Sequence, residues 1–506
     1  MGSMGLRVAF LAAECEPWAK TGGLADVVDA LARALGAPEV AGVDGPVDVF
    51  LPRYRGVPDP DPAAILGETM LAVPDPRART GSSAVTIVDV AADGYRLRLV
   101  DHPPAFDREG LYGDEAGDYA DNAWRFGLYC RAALEALRAD GRPADLMHLH
   151  DWQAGPAGIF RDLRYADDPV IRPAAMVMTL HNLAYHGWVP NAGLPQLGLL
   201  AGGAAHGQNA SGVDLLAAGI EASEIVNTVS PTYAREALTP KFGMGLDPLL
   251  TARGDRFNGI LNGLDTTVWD PARDRDLAAR YARGDLAGKA ACRADLLGRI
   301  GFDSADDGPV IGMIGRLDPQ KGFDLLADAT PELLAGGARL VVQGSGQPSL
   351  ADPFRALATA SPEKVAFIER FDRVMARRIY AGADFFAMPS RFEPCGQGQM
   401  IALRYGTPPI VHRTGGLADT VVDETTHPGE GTGFVFTDET SSALATACKQ
   451  AFVLRAAGGA AWEGLLDRGM AVDFDWRTGS APKYVEAYRR AVAIRRDQRV
   501  SSAGGG

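Results

Sequence analysis

The sequence KTGGLAD at Lys20–Asp26 recurs as RTGGLAD at Arg413–Asp419. Each copy follows a short apolar run typical of a buried strand, and each is followed by residues with the spacing of a helix. A buried strand that turns at glycines into a helix is typical of Rossmann-like units. Because the two copies lie in opposite halves of the chain, the repeat predicts two Rossmann-like domains.

Short apolar runs alternate with helical periods along both halves of the chain. This alternation indicates parallel sheets covered on both faces, so the predicted fold class is α/β. The runs predicted as strands are Val8–Ala13, Val47–Leu51, Thr86–Val90, Tyr95–Val100, Leu146–Leu149, Met176–Leu180, Ile225–Val229, Val310–Ile314, Leu340–Val342, Val365–Ile368, Phe385–Met388 and Pro409–Val411. The segment from Asn262 to Gly308 shows little strand pattern, so the domain boundary is placed near its start. A last helix is predicted at Ala481–Ile494.

Charge and cysteine content narrow the possible partners. The 506 residues include 50 Lys and Arg against 64 Asp and Glu, a net charge of −14. An acidic surface repels nucleic acid and anionic membranes but does not repel a neutral polymer. The five cysteines are scattered without CxxC spacing, which argues against disulfides and zinc sites and favours a reducing cytoplasm. No apolar run approaches the roughly 18 residues that would span a bilayer.

Three cations lie beside turns that could bind a negatively charged group. The Gly22–Gly23 turn would expose backbone N–H groups at the positive end of a helix, with Lys20 beside them. Arg316 and Lys321 lie in GRLDPQKG (Gly315–Gly322), at the carboxyl end of a predicted strand, where open α/β sheets bind ligands. Arg316 and Lys321 could hold a diphosphate without a metal. The alternative is that the glycines only make a tight turn and the cations are exposed loop charges.

Other polar side chains also follow predicted strands. Glu393, in SRFEPCG, could bind sugar hydroxyl groups or stabilise developing positive charge, or it could simply be an acid favoured at a helix N-terminus. Asp151, His181 and Asn182 suit hydrogen bonding to sugar hydroxyl groups. Trp152 offers an aromatic face to a sugar ring. A structural role is the alternative for each motif taken alone.

Taken together, these motifs resemble the glycogen and starch synthases of glycosyltransferase family 5, from about Arg7 to Arg490. The segments that carry the resemblance are KTGGLADVV (Lys20–Val28), HLHDWQAG (His148–Gly155), TLHNLAYHG (Thr179–Gly187), NTVSPTYARE (Asn227–Glu236), FGMGLD (Phe242–Asp247), GILNGLDTTVWDP (Gly259–Pro271), IGRLDPQKGFDLL (Ile314–Leu326), RFEPCG (Arg391–Gly396) and ALRYGTPPIVHRTGGLADTV (Ala402–Val421).

The resemblance implies the GT-B fold, in which two Rossmann-like domains face each other across a cleft. It implies transfer of glucose from ADP-glucose to an α-1,4-glucan with retention of configuration. No cofactor and no metal are expected, because no paired Asp motif of the DxD type follows a predicted strand and nearby cations can hold the diphosphate. The implied domains are an acceptor-side domain at residues 4–262, a nucleotide-sugar domain at 263–475, and a helix at 476–496 that returns to the first domain.

The resemblance also carries roles onto individual positions. The matching catalytic positions are Lys20, Asp151, His181, Arg316, Lys321 and Glu393. The matching substrate-binding positions are Lys20, Gly22, Gly23, Asp151, Asn182, Asn262, Arg316, Lys321, Glu393, Cys395, Gly396, Gly415 and Gly416. The acceptor side corresponds to Tyr112, Trp152 and Gln153.

Three positions depart from the family's pattern and keep alternatives open. Many relatives have His where Gln153 stands, Thr where Gly398 stands and Tyr where Ile401 stands. Ile401 cannot hydrogen-bond through its side chain, so UDP-glucose remains the alternative donor. Glucose 1-phosphate is an alternative acceptor. A glucan-binding protein without catalysis is a further alternative, and the presence of the family's cations and carboxylates argues against it.

Overall fold

The computed structural model describes residues 5–503, so residue 4, where the first domain is predicted to begin, lies outside the described residues. The chain forms two compact units. The first contains residues 5–229, 234–263 and 476–503, and the second contains residues 230–233 and 264–475. The chain therefore leaves the first unit after Gly263, inside the motif GILNGLDTTVWDP, and re-enters it at Trp476.

The first unit is a mixed α/β structure. Its strands are β1 (Val8–Leu11), β2 (Val47–Pro52), β3 (Ile65–Pro74), β4 (Ser82–Ala91), β5 (Tyr95–Asp101), β6 (Gly113–Asp114), β7 (Gly117–Asp118), β8 (Leu146–His150), β9 (Ala175–Leu180), β10 (Trp188–Pro190), β11 (Gly212–Asp214), β12 (Ile225–Thr228) and β13 (Phe257–Gly259). Its helices are α1 (Gly23–Gly36), α2 (Pro103–Phe106), α3 (Asn122–Ala139), α4 (Asp151–Ala154), α5 (Pro156–Leu163), α6 (Leu215–Ala222), α7 (Pro231–Ala237), which the division between the units splits, and α8 (Asp247–Ala252).

The main sheet of this unit has the strand order β13-β12-β9-β8-β1-β2-β5-β4-β3. From β13 to β5 every neighbouring pair is parallel. The strands that follow β1 extend the sheet to one side, and the chain then crosses to the other side of β1 at β8. This reversal around the first strand is the Rossmann arrangement, so the predicted type of unit is confirmed.

The expectation of a wholly parallel sheet is wrong at one edge. Strand β3 pairs antiparallel with β4, and β4 pairs antiparallel with β5. Only residues 92–94 separate β4 from β5, and a parallel connection needs about a dozen residues or more. Strand β3 was not predicted, because most of its side chains are exposed and it lacks a continuous apolar run.

The second unit has a six-stranded sheet in which all neighbouring strands are parallel. Its strands are β14 (Val310–Leu317), β15 (Arg339–Gly346), β16 (Val365–Ile368), β17 (Phe385–Met388), β18 (Pro409–His412) and β19 (Phe434–Phe436). Its helices are α9 (Ala287–Ile300), α10 (Phe323–Ala335), α11 (Pro348–Ala360), α12 (Arg373–Gly382), α13 (Gly398–Arg404), α14 (Gly415–Thr420), α15 (Ser441–Ala457) and α16 (Gly459–Ala471). The order β16-β15-β14-β17-β18-β19 is again the Rossmann order, and buried apolar side chains of strands and helices form the core.

The last helix, α17 (Ala481–Ala503), belongs to the first unit and continues past the predicted end at Ile494. Tyr484 and Tyr488 are completely buried along it. Within residues 5–503, no helix combines the length and the apolar character that crossing a bilayer requires. The five cysteines are buried, and no disulfide joins them.

Candidate active site

In each unit, residues predicted to act on substrate follow the strands beside the point where the strand order reverses. In the first unit this point lies between β1 and β8, which precede the Lys20 loop and Asp151. In the second unit it lies between β14 and β17, which precede Lys321 and Glu393. Open α/β sheets bind ligands at the carboxyl ends of the strands at such points. Each unit therefore presents one group of candidate residues where its fold favours a ligand.

Glu14 holds the first Gly-Gly turn in place. Its buried carboxylate accepts hydrogen bonds from the backbone N–H groups of Thr21 and Gly22, at 2.6 and 3.1 Å. It also accepts from the hydroxyl groups of Thr21 at 2.6 Å and Tyr112 at 2.7 Å. The N–H of Gly22, expected to face an anion, is therefore already bound to Glu14. The sequence analysis did not identify Glu14. Its position could have indicated a role, because it is an acidic residue that directly follows a predicted buried strand and precedes the Gly-Gly turn.

Lys20 is exposed and is paired with carboxylates of its own loop. Its Nζ lies 2.6 Å from Asp26 Oδ1 and 3.5 Å from Glu16 Oε2. Because exposed pairs contribute at most about 1 kcal/mol, an anionic ligand can replace them at little cost. A Cβ added to Gly22 or Gly23 would meet no atom within 4 Å, so the first turn of α1 is open to a ligand.

Asp151 begins α4 with a backbone φ of 55°, which residues other than glycine rarely adopt. Such strain costs about 1–3 kcal/mol and tends to be kept at functional sites. The Oδ1 atom accepts a hydrogen bond of 2.7 Å from the backbone N–H of His181. Burial raises the pKa of Asp151 from 3.8 to about 7, although the backbone N–H groups of His181 and Asn182 oppose the shift. Asp151 therefore changes charge near neutral pH.

His181 packs against a second histidine and is neutral. The distance between His150 Nδ1 and His181 Nε2 is 3.0 Å, and the two rings are stacked. Burial lowers the pKa of His181 to about 3. Burial also lowers the pKa of His148 and His150 well below the usual value. At neutral pH, His181 can therefore offer a substrate its backbone carbonyl or a neutral ring, but not a positive charge.

His148 belongs to a chain of hydrogen bonds that joins α17 to the sheet of the first unit. Thr179 Oγ1 donates to Asn227 Oδ1 at 2.8 Å, so it must accept from His148 Nε2, at 2.6 Å. This leaves Nδ1 of His148 as the acceptor for the Tyr488 hydroxyl, at 2.8 Å. Asn227 Nδ2 donates to the Tyr484 hydroxyl at 3.2 Å. These hydrogen bonds satisfy buried polar side chains on strands of the sheet. The carboxyl ends of those strands carry candidate site residues.

The side chains predicted on the acceptor side have different surroundings. Burial raises the pKa of Tyr112 well above its usual value, so its hydroxyl stays neutral. Trp152 packs edge-on against Phe126, with 5.1 Å between ring centroids. A Cβ at Gly187 would lie 2.4 Å from the indole, so part of the Trp152 ring lies against backbone. Gln153 is buried, and its Oε1 accepts no hydrogen bond from residues 5–503.

Two asparagines complete the predicted residues of the first unit. Asn182 is half-buried, and its Oδ1 accepts a hydrogen bond of 3.0 Å from the N–H of Ala184. Asn262 is buried, and no donor from the described part of the chain reaches its Oδ1. A buried amide oxygen without a partner is costly, so the described residues leave the acceptor of Asn262 unsatisfied.

In the second unit, Lys321 and Glu393 form a close ion pair. Lys321 Nζ lies 2.7 and 3.0 Å from the two carboxylate oxygens, and the Ser390 hydroxyl donates to Glu393 Oε2 at 2.9 Å. Glu393 is 5% exposed, so its charge is balanced inside the protein by Lys321. Arg316 is exposed near the end of β14. The unit thus holds one paired cation and one solvent-facing cation beside a buried carboxylate.

The second Gly-Gly turn differs in its surroundings from the first. The N–H of Gly416 donates to the carbonyl of Glu393 at 3.0 Å. A Cβ at Gly415 would lie 2.0 Å from that carbonyl oxygen, and one at Gly416 would lie 2.0 Å from the carbonyl oxygen of Cys395. Gly396 has a φ of 72°, which favours glycine. These glycines therefore let two backbone segments touch and fix the loop that carries Glu393.

Two of the departures from the family's pattern lie in α13. A Cβ at Gly398 would lie 3.0 Å from the Phe386 ring and 3.3 Å from the Tyr380 hydroxyl. A threonine at this position would therefore crowd these aromatic side chains. Ile401 is buried, and its hydrocarbon side chain cannot supply a hydrogen bond to a nucleotide.

Comparison with known proteins gives a consistent result for both units. The starch synthase catalytic domain model matches residues 7–252, and the glycosyl transferases group 1 model matches residues 308–452. Glycogen synthase from Anaeromyxobacter dehalogenans (strain 2CP-C) is 44% identical over 498 residues, covering 96% of this chain and 99% of that protein. Glycogen synthase from Syntrophotalea carbinolica is 40% identical over 498 residues, covering 97% and 99%.

Solved structures share the fold. The catalytic domain of Starch Synthase IV from Arabidopsis thaliana, bound to ADP and acarbose, has a TM-score of 0.85 and 33% identity, covering 97% of this chain and 100% of that one. Sucrose-phosphate synthase from Thermosynechococcus elongatus has a TM-score of 0.60 at 20% identity, over 96% and 99% of the two chains, and is similar in fold alone.

Proposed function

The chain belongs to the family of bacterial glycogen synthases and plant starch synthases, and from this membership we propose that it transfers glucose from ADP-glucose to the non-reducing end of an α-1,4-glucan with retention of configuration. The protein is a glycosyltransferase with the two Rossmann-like units of the GT-B fold. The observation that carries the proposal is the Lys321–Glu393 pair, which lies with Arg316 where a Rossmann sheet binds its ligand.

In the second unit, we assign the diphosphate of the donor to Arg316 and Lys321. Arg316 faces solvent, so it can turn to a phosphate without breaking a buried contact. Lys321 can bridge a phosphate oxygen and Glu393, since an ammonium group has three N–H donors. The buried Glu393 carboxylate then faces the sugar, where a negative charge stabilises an oxocarbenium-like transition state. This carboxylate is held in position by the backbone at Cys395, Gly396, Gly415 and Gly416.

In the first unit, we assign the donor glucose to Asp151, His181 and Asn182. The backbone carbonyl of neutral His181 can stabilise positive charge on the sugar ring. Asp151 accepts from the N–H of His181 and so fixes the loop that presents this carbonyl. Lys20 and the open first turn of α1, which begins at Gly23, offer positive charge to the donor phosphates, while the N–H of Gly22 stays bound to Glu14.

Further positions of the first unit complete the assignment. Asn262 is assigned to contact the donor, because it matches a donor-contacting position of the family. Tyr112, Trp152 and Gln153 are assigned to the acceptor glucan.

The reaction needs no cofactor, because every bond that breaks or forms belongs to one of the two substrates. The bond between C1 and the diphosphate oxygen breaks, and both electrons leave with the diphosphate. The acceptor 4-hydroxyl oxygen forms the new bond to C1 on the same face, and its proton passes to the departing diphosphate oxygen. Arg316 and Lys321 stabilise the negative charge that grows on the diphosphate, since fixed charges are most effective where charge develops.

The donor nucleotide and the compartment are part of the proposal. A related catalytic domain was solved with ADP, which supports an adenine nucleotide. Buried Ile401 offers no side-chain hydrogen bond, so UDP-glucose is the alternative donor to be tested. We assign the protein to the cytoplasm, because five buried cysteines that form no disulfide suit a reducing compartment.

The test is a matrix of donors and acceptors. The purified chain is incubated with ADP-glucose or UDP-glucose, and with glycogen or glucose 1-phosphate, while the released nucleoside diphosphate is measured. We expect release with ADP-glucose and glycogen, an α-1,4 linkage in the product by NMR, and unchanged activity with a chelator. Release only with glucose 1-phosphate, or only with UDP-glucose, would replace the proposed substrates. No release with any pair would contradict the proposed transfer.

A further inference from the structure

Two exposed aromatic side chains of the first unit have no part in the assigned site. Tyr185 is 57% exposed and Trp188 is 47% exposed. Within residues 5–503, one other aromatic side chain, Phe371 of the second unit, is as exposed as Trp188. Folded proteins usually bury most of an aromatic ring, so two exposed rings three positions apart indicate a surface that meets a ligand.

Trp188 is held in a fixed position by the strand that carries it. In β10 it pairs with Asp214 of β11. Its indole lies against the backbone of Gly212, where an added Cβ would be 3.0 Å from Trp188 Cζ2. The remainder of the ring is open to water. Because the ring is already ordered, a ligand that binds to it loses little affinity to the ordering of the protein.

The backbone between the two rings is also fixed. His186 Nδ1 lies 2.6 Å from Asp214 Oδ2, and the carbonyl of His186 accepts a hydrogen bond of 3.0 Å from the N–H of Leu216. Asp214 also caps the N-terminus of α6 through its side chain. An ordered segment therefore presents both Tyr185 and Trp188 to solvent.

This segment adjoins residues that are assigned to the substrates. It follows His181 and Asn182, which are assigned to the donor glucose. Gly187 packs against the ring of Trp152, which is assigned to the acceptor, and a Cβ added to Gly187 would lie 2.4 Å from that ring. Trp188 follows Gly187 directly in the chain. Its exposed ring is therefore one residue away from the contact with Trp152.

The composition of the segment suits a neutral ligand that carries many hydroxyl groups. Residues 182–190 contain no Lys, Arg, Asp or Glu, although the protein has a net charge of −14. A ligand with a phosphate group would find no lysine or arginine in this segment. An aromatic ring offers an apolar face to the C–H groups of a sugar ring, while the sugar hydroxyl groups remain in water.

We propose that Tyr185 and Trp188 bind the α-1,4-glucan acceptor at glucose units beyond the terminal unit that reacts. This inference rests on the proposed function, since it takes the acceptor to be a glucan held at Trp152. Each ring lies under one face of a glucose unit of the acceptor. The two side chains contribute to affinity for the glucan and take no part in bond breaking, so the enzyme favours long acceptors over short ones.

The experiment compares a long acceptor with a short one. Binding of maltoheptaose and maltose to the full chain is measured by calorimetry without a donor, and kcat and KM are measured with ADP-glucose. We expect Trp188→Ala and Tyr185→Ala each to raise the Kd and the KM for maltoheptaose by about three- to tenfold. The kcat, the KM for ADP-glucose and the KM for maltose should change much less. An equal effect on maltose and maltoheptaose, or a larger effect on ADP-glucose, would overturn the proposal.

Three further variants separate ring stacking from a general apolar effect. Met70→Ala removes a side chain that is 74% exposed on the edge strand β3 of the same unit, and it should leave glucan binding unchanged. Trp188→Phe keeps an aromatic face and should bind maltoheptaose more tightly than Trp188→Leu. Equal binding by Trp188→Leu and the unaltered protein would contradict stacking on the ring.

The outcomes distinguish this inference from the proposed transfer. If ADP-glucose and glycogen give no ADP release, the proposed function fails, but calorimetry still decides whether the two rings bind maltoheptaose. If transfer occurs and both alanine variants bind maltoheptaose as the unaltered protein does, this inference alone fails. It also fails if the unaltered protein shows no saturable binding of maltoheptaose. Self-association that Trp188→Ala abolishes, with glucan binding unchanged, would assign the surface to a second copy of the chain and overturn the proposal.

Discussion

Lys321 Nζ lies within hydrogen-bond distance of both carboxylate oxygens of Glu393, at 2.7 and 3.0 Å. The two residues are 72 positions apart and are brought together by the ends of β14 and β17, which are neighbours in the sheet. Each residue therefore sets the environment of the other. A substitution at either position changes both the charge offered to a diphosphate and the charge offered to the sugar.

Lys321→Ala should strongly reduce turnover. It removes a cation assigned to the leaving diphosphate and leaves the buried Glu393 carboxylate with Ser390 as its one remaining side-chain donor among residues 5–503. We expect a loss of about 10²–10³ in kcat and a loss of about 1–3 kcal/mol in the free energy of unfolding. The control is Lys449→Ala, because Lys449 pairs with Glu332 on the surface of the same unit. Equal kinetics in the two variants would remove Lys321 from the assigned site.

Glu393→Gln should reduce turnover much more than nucleotide binding. The amide keeps the size and one acceptor oxygen, but it lacks the charge that stabilises a cationic transition state. We expect kcat to fall by about 10²–10³, with the Kd for ADP changing severalfold at most. A Glu439→Gln variant, which alters an exposed acid paired with Arg391, is the control. Near-normal turnover in Glu393→Gln would assign this residue to loop structure alone.

The strands of both units could be predicted because most are continuous apolar runs. The runs at Val47–Leu51 and Phe385–Met388 correspond to β2 and β17, whose side chains are almost all buried. Strand β3 could not be predicted in this way, since its position at the sheet edge leaves most of its side chains exposed. Apolar periodicity therefore predicts the buried part of the fold and fails where a strand faces water.

The candidate site was predictable only in part, for a related reason. Lys20 and Arg316 are recognisable from local motifs, but Glu14 acts through a hydrogen bond with Tyr112, which is 98 positions away. The two Gly-Gly turns have the same sequence, yet one is open and the other, at Gly415–Gly416, packs against the backbone at Glu393. Local patterns indicate residue types and turns, whereas contacts between distant segments decide what those residues do.

Glu14→Gln should impair the reaction by loosening the Lys20 loop. The amide cannot accept from all the donors of Thr21, Gly22 and Tyr112 that the carboxylate now satisfies. We expect kcat to fall by about tenfold or more, since misplacing a loop near the chemistry is costly. Because Glu14 is a positioning residue, the KM for glucan should change less than kcat.

The control for Glu14 is Glu39→Gln, an exposed acid that follows α1. It should behave like the unaltered protein. Hydrogen exchange at the N–H groups of Thr21 and Gly22 gives a second readout, and it should become faster in Glu14→Gln. Unchanged exchange together with unchanged kcat would contradict the positioning role.

The charge of Asp151 should make stability depend on pH. Burial raises its pKa in the folded protein to about 7, whereas the unfolded value is near 3.8. Between these pH values the folded state binds more protons than the unfolded state, so this group's contribution to stability falls as pH rises from about 4 to 7. Relative to Asp151→Asn, the unaltered protein should lose stability over this window, by up to a few kcal/mol.

Urea unfolding at several pH values measures this difference. Comparison with Asp151→Asn removes the contribution of the buried histidines, which are present in both proteins and whose lowered pKa values act in the opposite direction. A stability difference that stays constant between about pH 4 and 7 would show that Asp151 is ionised throughout the window.

Two buried tyrosines provide a test of the hydrogen bonds that join α17 to the main sheet of the first unit. The Tyr488 hydroxyl donates to His148 Nδ1 at 2.8 Å, and both residues are fully buried. The Tyr54 hydroxyl is also buried, but it has no hydrogen-bond partner in the described part of the chain. Each replacement of a tyrosine with phenylalanine removes one buried hydroxyl group from the first unit, so the two variants are chemically matched.

Tyr488→Phe should destabilise the protein, and Tyr54→Phe should not. Without the Tyr488 hydroxyl, Nδ1 of His148 is a buried acceptor with no donor, which costs about 1–3 kcal/mol in the free energy of unfolding. Removing the unpaired Tyr54 hydroxyl takes away a buried polar group that makes no hydrogen bond, so its effect should be close to zero or stabilising. Urea unfolding of both variants at neutral pH measures the difference. If the two variants lose equal stability, the Tyr488–His148 hydrogen bond does not hold α17, and the tautomer assigned to His148 is wrong.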